Sequence, residues 1–188
     1  MTPVPVLLLP GWLNSGPAHW QSLWEAEHAY VRVLQHDWMR PLRGDWVARL
    51  EDEILAHSGA DHGRDGTVVL AAHSLGCLLV AAWAAHTRNA HRVRAALLVA
   101  PGDPQQAVLA EGLSSWSPVA LHKLPFASVV IGSRNDPYCS FARAQRFAQA
   151  WGSEFVDYGD AGHINADSGF GPWPDGHARL SALRQVNT

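Results

Sequence analysis

Between Val68 and Ala85 the chain carries no charged side chain, yet this apolar run is interrupted midway by His73-Ser74-Leu75-Gly76. A membrane span of that length would not place histidine, serine and glycine at its centre. The β-branched residues before the break read as a strand, and the Leu- and Ala-rich residues after it read as a helix. A strand that turns straight into a helix here must turn sharply. Such a turn lifts the Ser74 hydroxyl above the end of a sheet, forces the serine into a costly backbone conformation and requires small neighbours. Ala72 and Gly76 supply them.

The rest of the chain repeats the strand-then-helix theme. Val4 to Leu9 is a continuous apolar run closed by Pro10-Gly11, as in a parallel strand buried on both faces. Pro17 suits the first turn of a helix bearing Trp20, Leu23 and Trp24 at helical spacing, and Val31 to Leu34 is a second strand. Trp46, Val47, Leu50 and Ile54 define a helix with Asp45 as its N-cap, followed by a polar loop from Ser58 to Gly66. Val93 to Ala100, Phe126 to Gly132 and Phe155 to Tyr158 are three further strands. Phe141 to Trp151 and Gly176 to Val186 are helices. Residues 103–125 have no period and read mostly as loop with one short helix. Parallel neighbours need crossover connections. The expectation is therefore one α/β domain over residues 1–188, with about six mainly parallel strands, helices on both faces and no lid domain.

Composition narrows the function classes. With 47% apolar and 16% charged residues the chain is globular, and a net charge of −3 without a basic run gives no footprint for nucleic acid. The two cysteines, Cys77 and Cys139, fit free thiols better than a disulfide framework. The N-terminus lacks the basic segment of a secretory signal. Together these point to a cytoplasmic protein without a membrane segment. The turn after the first strand is not G-x-G-x-x-G, no phosphate-binding loop occurs, and the histidines match no zinc spacing. No cofactor and no metal are expected, and the sequence is silent on oligomeric state.

A serine hydroxyl becomes a useful nucleophile only with a base in reach and an acid to hold that base in one tautomer. In a doubly wound sheet such groups sit in loops at the carboxyl ends of strands. Ser74 follows the third strand, Asp136 lies in Ser133-Arg134-Asn135-Asp136-Pro137 after the fifth, and His163 lies in Gly162-His163-Ile164-Asn165 after the sixth. The order Ser, Asp, His is that of the α/β-hydrolases. Asp103, after the fourth strand, rivals Asp136 as the acid. His73 reads as packing beside the serine. The Leu75 N–H, at a helix start, and the Trp12 N–H, in the turn after Gly11, are the candidate donors to a developing oxyanion. Trp12, Trp116 and Trp173 fall in loops. All three, Trp12, Trp116 and Trp173, are candidate walls of a pocket for short or flat acyl groups, the alternative being packing beneath the loops.

These residues resemble the small serine hydrolases of the α/β-hydrolase superfamily similar to retinoblastoma-binding protein nine. The likeness rests on Leu9-Pro10-Gly11-Trp12, Asn14-Ser15, His19-Trp20-Gln21, His73-Ser74-Leu75-Gly76, the Asp136 and His163 loops, and Gly169-Phe170-Gly171-Pro172-Trp173-Pro174, which span nearly the whole chain. It implies a minimal hydrolase with a Ser74-His163-Asp136 triad and modest activity on small carboxylic esters. Ala72 departs from the glycine usual two residues before the nucleophile. Amidase and thioesterase chemistry would use the same triad, and a non-catalytic binding or scaffold protein on this fold is the alternative.

Overall fold

Six parallel strands in the order β2-β1-β3-β4-β5-β6 form the centre of the molecule. They are β1 (Val6–Leu9), β2 (Val31–Arg32), β3 (Val68–His73), β4 (Val93–Val99), β5 (Ala127–Gly132) and β6 (Glu154–Asp157). The helices are α1 (Trp20–His28), α2 (Arg43–His57), α3 (Leu75–Ala84), the short α4 (Ala107–Ala110), α5 (Phe141–Trp151) and α6 (Pro174–Leu183). The computed structural model describes residues 4–59 and 66–186, so most of the loop expected from Ser58 to Gly66 lies outside the described residues.

Alternation along the strands divides the core in two. Leu7, Leu9, Leu70, Ala72 and Leu98 face a layer that includes Trp46, Leu50 and Ile54 of α2, the apolar length of α3, and Phe147 and Trp151 of α5. Val6, Leu8, Val69, Ala71 and Leu97 face Trp20 and Trp24 of α1 and Leu180 and Leu183 of α6. Both faces of β3 and β4 are covered, which explains why their sequences are continuously apolar rather than alternating.

Helix starts were the least legible features. Pro17 precedes α1, which begins at Trp20. The cap is His19, whose Nδ1 accepts from the Gln21 N–H at 3.1 Å. Asp45 lies in the first turn of α2, where its charge suits the helix dipole, and Leu42 holds the cap position. The missing acceptor comes from afar: Ser115 Oγ takes the Arg43 N–H at 3.3 Å. A cap supplied across 72 residues leaves no local sequence signal.

Chain direction across the sheet sets the site. From β1 the chain moves outward to β2, then returns past β1 to β3 and continues the other way. The reversal opens a crevice beyond the carboxyl ends of β1 and β3, where doubly wound sheets bind ligands. The Gly11-Trp12 turn and Ser74 both emerge there.

Candidate active site

Ser74 joins β3 to α3 with φ 54° and ψ −118°, a conformation that a residue with a side chain adopts only under constraint. The constraint is packing. A Cβ on Gly76 would stand 2.3 Å from the Leu9 carbonyl oxygen, so only glycine lets α3 sit this close to β1. A Cβ on Gly11 would stand 2.8 Å from Ser74 Cβ, and one on Gly102 would stand 3.3 Å from Ser74 Oγ. Neither Gly11 nor Gly102 has a positive φ, so what these positions require is clearance around Ser74 rather than backbone freedom. The role of Gly102 was not read from the sequence. Its only signal is a Pro-Gly pair closing β4.

A cavity of about 520 Å³ opens over Ser74, within the range usual for small-molecule sites. Trp12, His19, His73, Ser74, Tyr138 and His163 are among its walls, and Leu13, Val108 and Leu109 give it an apolar side. A second, more open hollow of about 450 Å³ lies behind the His163 loop, between Tyr158, Asp160 and Phe170. Neither Ser74 nor His163 lines it.

His163 is held from every direction. Its Nδ1 lies 2.9 and 3.0 Å from the two carboxylate oxygens of Asp136. A carboxylate only accepts, so Nδ1 carries the hydrogen of the neutral ring and Nε2 keeps its lone pair. Both side chains are nearly inaccessible, at 8% and 3% exposure, which protects the pair from competing water. Asp136 also accepts the Tyr138 N–H, and the Tyr138 ring packs edge-on against the imidazole at 4.6 Å.

The loop that carries His163 is clasped to the loop that carries Asp136. Ser133 Oγ accepts the Ala161 N–H at 3.0 Å, and Asn135 Oδ1 accepts the Gly162 N–H at 2.7 Å. From the other side His73 Nε2 donates to the His163 carbonyl oxygen at 2.9 Å, and Trp20 Nε1 donates to that of Ile164 at 2.9 Å. His73 is thus a positioning residue as well as a packed one. Burial holds its basicity well below that of an ordinary histidine, with His163 and His19 adding to the effect. It stays neutral and keeps its Nε2–H.

Asp103 is committed elsewhere. It pairs with Arg143 at 3.1 Å and accepts the Gln105 N–H, so it is not the partner of His163. Trp116 and Trp173 do not reach the cavity. Trp116 is buried against Trp46 with its N–H on the Pro41 carbonyl. Trp173 is buried against Trp24 with its N–H on the Tyr158 hydroxyl. Loop position suggested a wall, but indoles with satisfied N–H groups gain more by burial under the loops. The apolar wall is instead Val108 and Leu109, in the stretch that showed no period. Trp12 does line the cavity, its indole Nε1–H spent on the Met39 carbonyl at 3.2 Å and its backbone N–H separate from that bond. Leu75 begins α3, and a Cβ on Gly102 would stand 3.8 Å from its amide nitrogen.

Among the described residues, no group of three or more His, Cys, Asp or Glu is arranged to hold a metal ion, and no helix is long and apolar enough to cross a membrane.

The model of the family described as Serine hydrolase matches residues 6–182. The chain belongs to this family. A YdeN-like hydrolase from Pectobacterium atrosepticum is 33% identical, with 97% of this chain and 91% of that one aligned at a TM-score of 0.81. The ydeN gene product of B. subtilis shares the fold at 18% identity and a TM-score of 0.74, over 97% of this chain and 100% of that one. The esterase domain of a Rhodothermus marinus protein does so at 15% identity and 0.69, over 98% and 88%. Comparison with curated proteins gives no match. In this serine hydrolase, then, a serine on a strained turn, a buried His-Asp pair and an apolar wall meet at one cavity.

Proposed function

We propose that this serine hydrolase cleaves small carboxylic esters through an acyl-enzyme, with Ser74, His163 and Asp136 as its triad. The observation that carries the reading is the Asp136–His163 hydrogen bond at the wall of the cavity that Ser74 also lines. In the first step Ser74 Oγ bonds to the substrate carbonyl carbon while His163 Nε2 takes the hydroxyl proton. Asp136 keeps the proton on Nδ1 and stabilises the imidazolium. The Leu75 and Trp12 N–H groups are the assigned donors to the oxyanion, and Gly102 keeps space free beside Ser74 Oγ and the Leu75 nitrogen. Collapse of the tetrahedral species breaks the ester C–O bond, and His163 returns its proton to the leaving alcohol. Water then attacks the acyl carbon, with His163 again as base, and releases the acid and Ser74. Because a protonated imidazole has no lone pair to offer, the rate falls in acid.

The apolar side formed by Leu13, Val108 and Leu109 suits a short hydrocarbon acyl group. Within the family we place the chain with the small lidless enzymes similar to retinoblastoma-binding protein nine. The two buried free cysteines, whose thiols burial makes less acidic, suit a cytoplasmic setting.

A fluorophosphonate probe with Ser74→Ala as control tests the reading. Wild type is expected to label and the variant not. A folded wild type that stays unlabelled would make the protein a non-catalytic binder. A p-nitrophenyl ester series run beside matched anilides and thioesters then assigns the leaving group, with esters expected to turn over fastest.

A further inference from the structure

The walls of the cavity over Ser74 include three histidines, and two of them are held neutral: burial lowers the pKa of His19 to about 3 and keeps that of His73 well below its ordinary range. Of the other lining residues, Asp167 alone carries a formal charge among the described residues. No step above uses it. Cations close to the walls are already matched. Arg32, which donates to Asn14 of the cavity wall, pairs with Glu25 at 2.6 Å. Arg143 pairs at 3.1 Å with Asp103, whose own N–H reaches the Tyr138 carbonyl. Asp167 is exposed, and its carboxylate makes no hydrogen bond or ion pair among the described residues.

The turn that carries Asp167 is fixed by its own hydrogen bonds. Asn165 Oδ1 accepts the Ser168 N–H at 3.1 Å and the Ser168 hydroxyl at 2.9 Å, and the Ala166 carbonyl accepts the Gly169 N–H at 3.0 Å. The turn continues the loop that carries His163. Because His163 returns its proton to the leaving oxygen, the alcohol half of an ester lies on this side and the acyl half lies against Val108 and Leu109. A charge needs no aligned contact to act there, since its field reaches about 10 Å at about 0.1 M salt. Asp167 also lines the second hollow, where the Tyr158 and Phe170 rings offer aromatic surface to an alkylammonium group. We infer that Asp167 selects the leaving alcohol by charge, favouring esters whose alcohol bears an ammonium group over their neutral isosteres. This inference rests on the hydrolase reading for its substrate class. The charge of the wall does not depend on catalysis.

Two matched ester pairs test it. Acetylcholine and 3,3-dimethylbutyl acetate differ only in the atom, nitrogen or carbon, at the centre of one trimethyl group on the alcohol side. Ethyl 4-(trimethylammonio)butyrate and ethyl 5,5-dimethylhexanoate make the same exchange on the acyl side. The kcat/KM ratio within each pair, compared between wild type and Asp167→Asn, cancels intrinsic reactivity. For the alcohol-side pair the wild-type preference for the cation is expected to exceed that of Asp167→Asn by about threefold at low salt, as suits an exposed ion pair. Asp167→Lys should lower the preference further. The gap should close as salt approaches about 1 M, where the screening length is about 3 Å. An alcohol-side ratio unchanged in both variants overturns the proposal, and so does an acyl-side ratio that changes more than the alcohol-side one.

A second measurement does not need turnover. Ser74→Ala protein labelled with 15N is titrated with acetylcholine and with 3,3-dimethylbutyl acetate, and the backbone amide resonances give the two dissociation constants. The preference for acetylcholine is expected to fall about threefold when Asp167→Asn is added. If wild type hydrolyses none of the four esters, the hydrolase reading fails while this titration still decides whether Asp167 selects by charge. If it hydrolyses them and neither the rate ratios nor the binding ratio responds to Asp167, the charge selection alone fails.

Discussion

The two sides of the cavity are built by opposite means. On the His163 side, backbone and side-chain polar groups interlock: Asp136, Ser133, Asn135, His73 and Trp20 all hold the loop or its ring through hydrogen bonds. On the Val108 side the wall is apolar, Val108 is 66% exposed and Leu13 55%, and contact is by shape alone. Directional bonds fix an atom's position, whereas dispersion contacts tolerate sliding. Proton transfer needs the first property and accommodation of varied acyl groups the second. The difference predicts that damage on one side lowers kcat and damage on the other redistributes substrates.

Asp136→Asn is the severest break. Its amide can donate to Nδ1 and so favours the wrong imidazole tautomer, and kcat on a short p-nitrophenyl ester is expected to fall by about 10⁴-fold. A loss under tenfold would show that His163 is oriented without its acid. Next comes acid stability, which probes the neutral histidines at the cavity wall. His19 has its pKa depressed to about 3 in the folded protein, against an ordinary value near 6.5 when unfolded. Between those values the unfolded chain binds more protons, so stability is full above about pH 6.5 and drains as pH falls. For His19 the loss reaches about 3 kcal/mol by pH 4. Thermal melts should show His19→Asn losing less Tm than wild type over that interval, and equal losses would contradict a buried neutral His19.

The smallest effects give the sharpest contrast. Asn135→Ala removes the acceptor of the Gly162 N–H and should lower kcat about tenfold across all esters alike, the worth of about one hydrogen bond in positioning. Val108→Ala, at the apolar lip, should leave kcat on acetate esters within about twofold while shifting the preferred chain length upward. That follows from clearing two methyl groups from the exposed lip, which widens the apolar side and leaves the polar side untouched. If both variants changed the same parameter, the division between a locked side and a yielding one would collapse.

Much of this was written in the sequence, for identifiable reasons. Ser74 sits where apolar strand and apolar helix meet with only small residues between them, and Asp136 and His163 follow the last two strands. Strand order and loop position carry such information along the chain. Asn135 and Ser133 were visible in the same loop, but their partners, Ala161 and Gly162, lie more than twenty residues on and only the folded sheet brings them near. Trp116 and Trp173 were misjudged because being in a loop does not tell whether an indole faces a cavity or the core beneath it. His19 escaped notice as a helix cap because its side chain is not among the usual capping residues. Val108 and Leu109 lie in a segment whose single helical turn is too short to show a period.

One further contact ties the yielding side to the turn that carries Trp12. A Cβ on Gly112 would fall 2.3 Å from the edge of the Trp12 indole, so the rim of the ring comes right up to position 112 and leaves no room for a side chain there. The segment carrying Val108 and the turn after β1 therefore share a bearing surface of two residues. Neither residue can change in size by itself: a side chain at position 112 displaces the indole, and a smaller residue at position 12 leaves the segment unsupported. The aperture of this serine hydrolase is in that sense inherited as a pair. A lineage that widened or narrowed it would have to pass through both positions together.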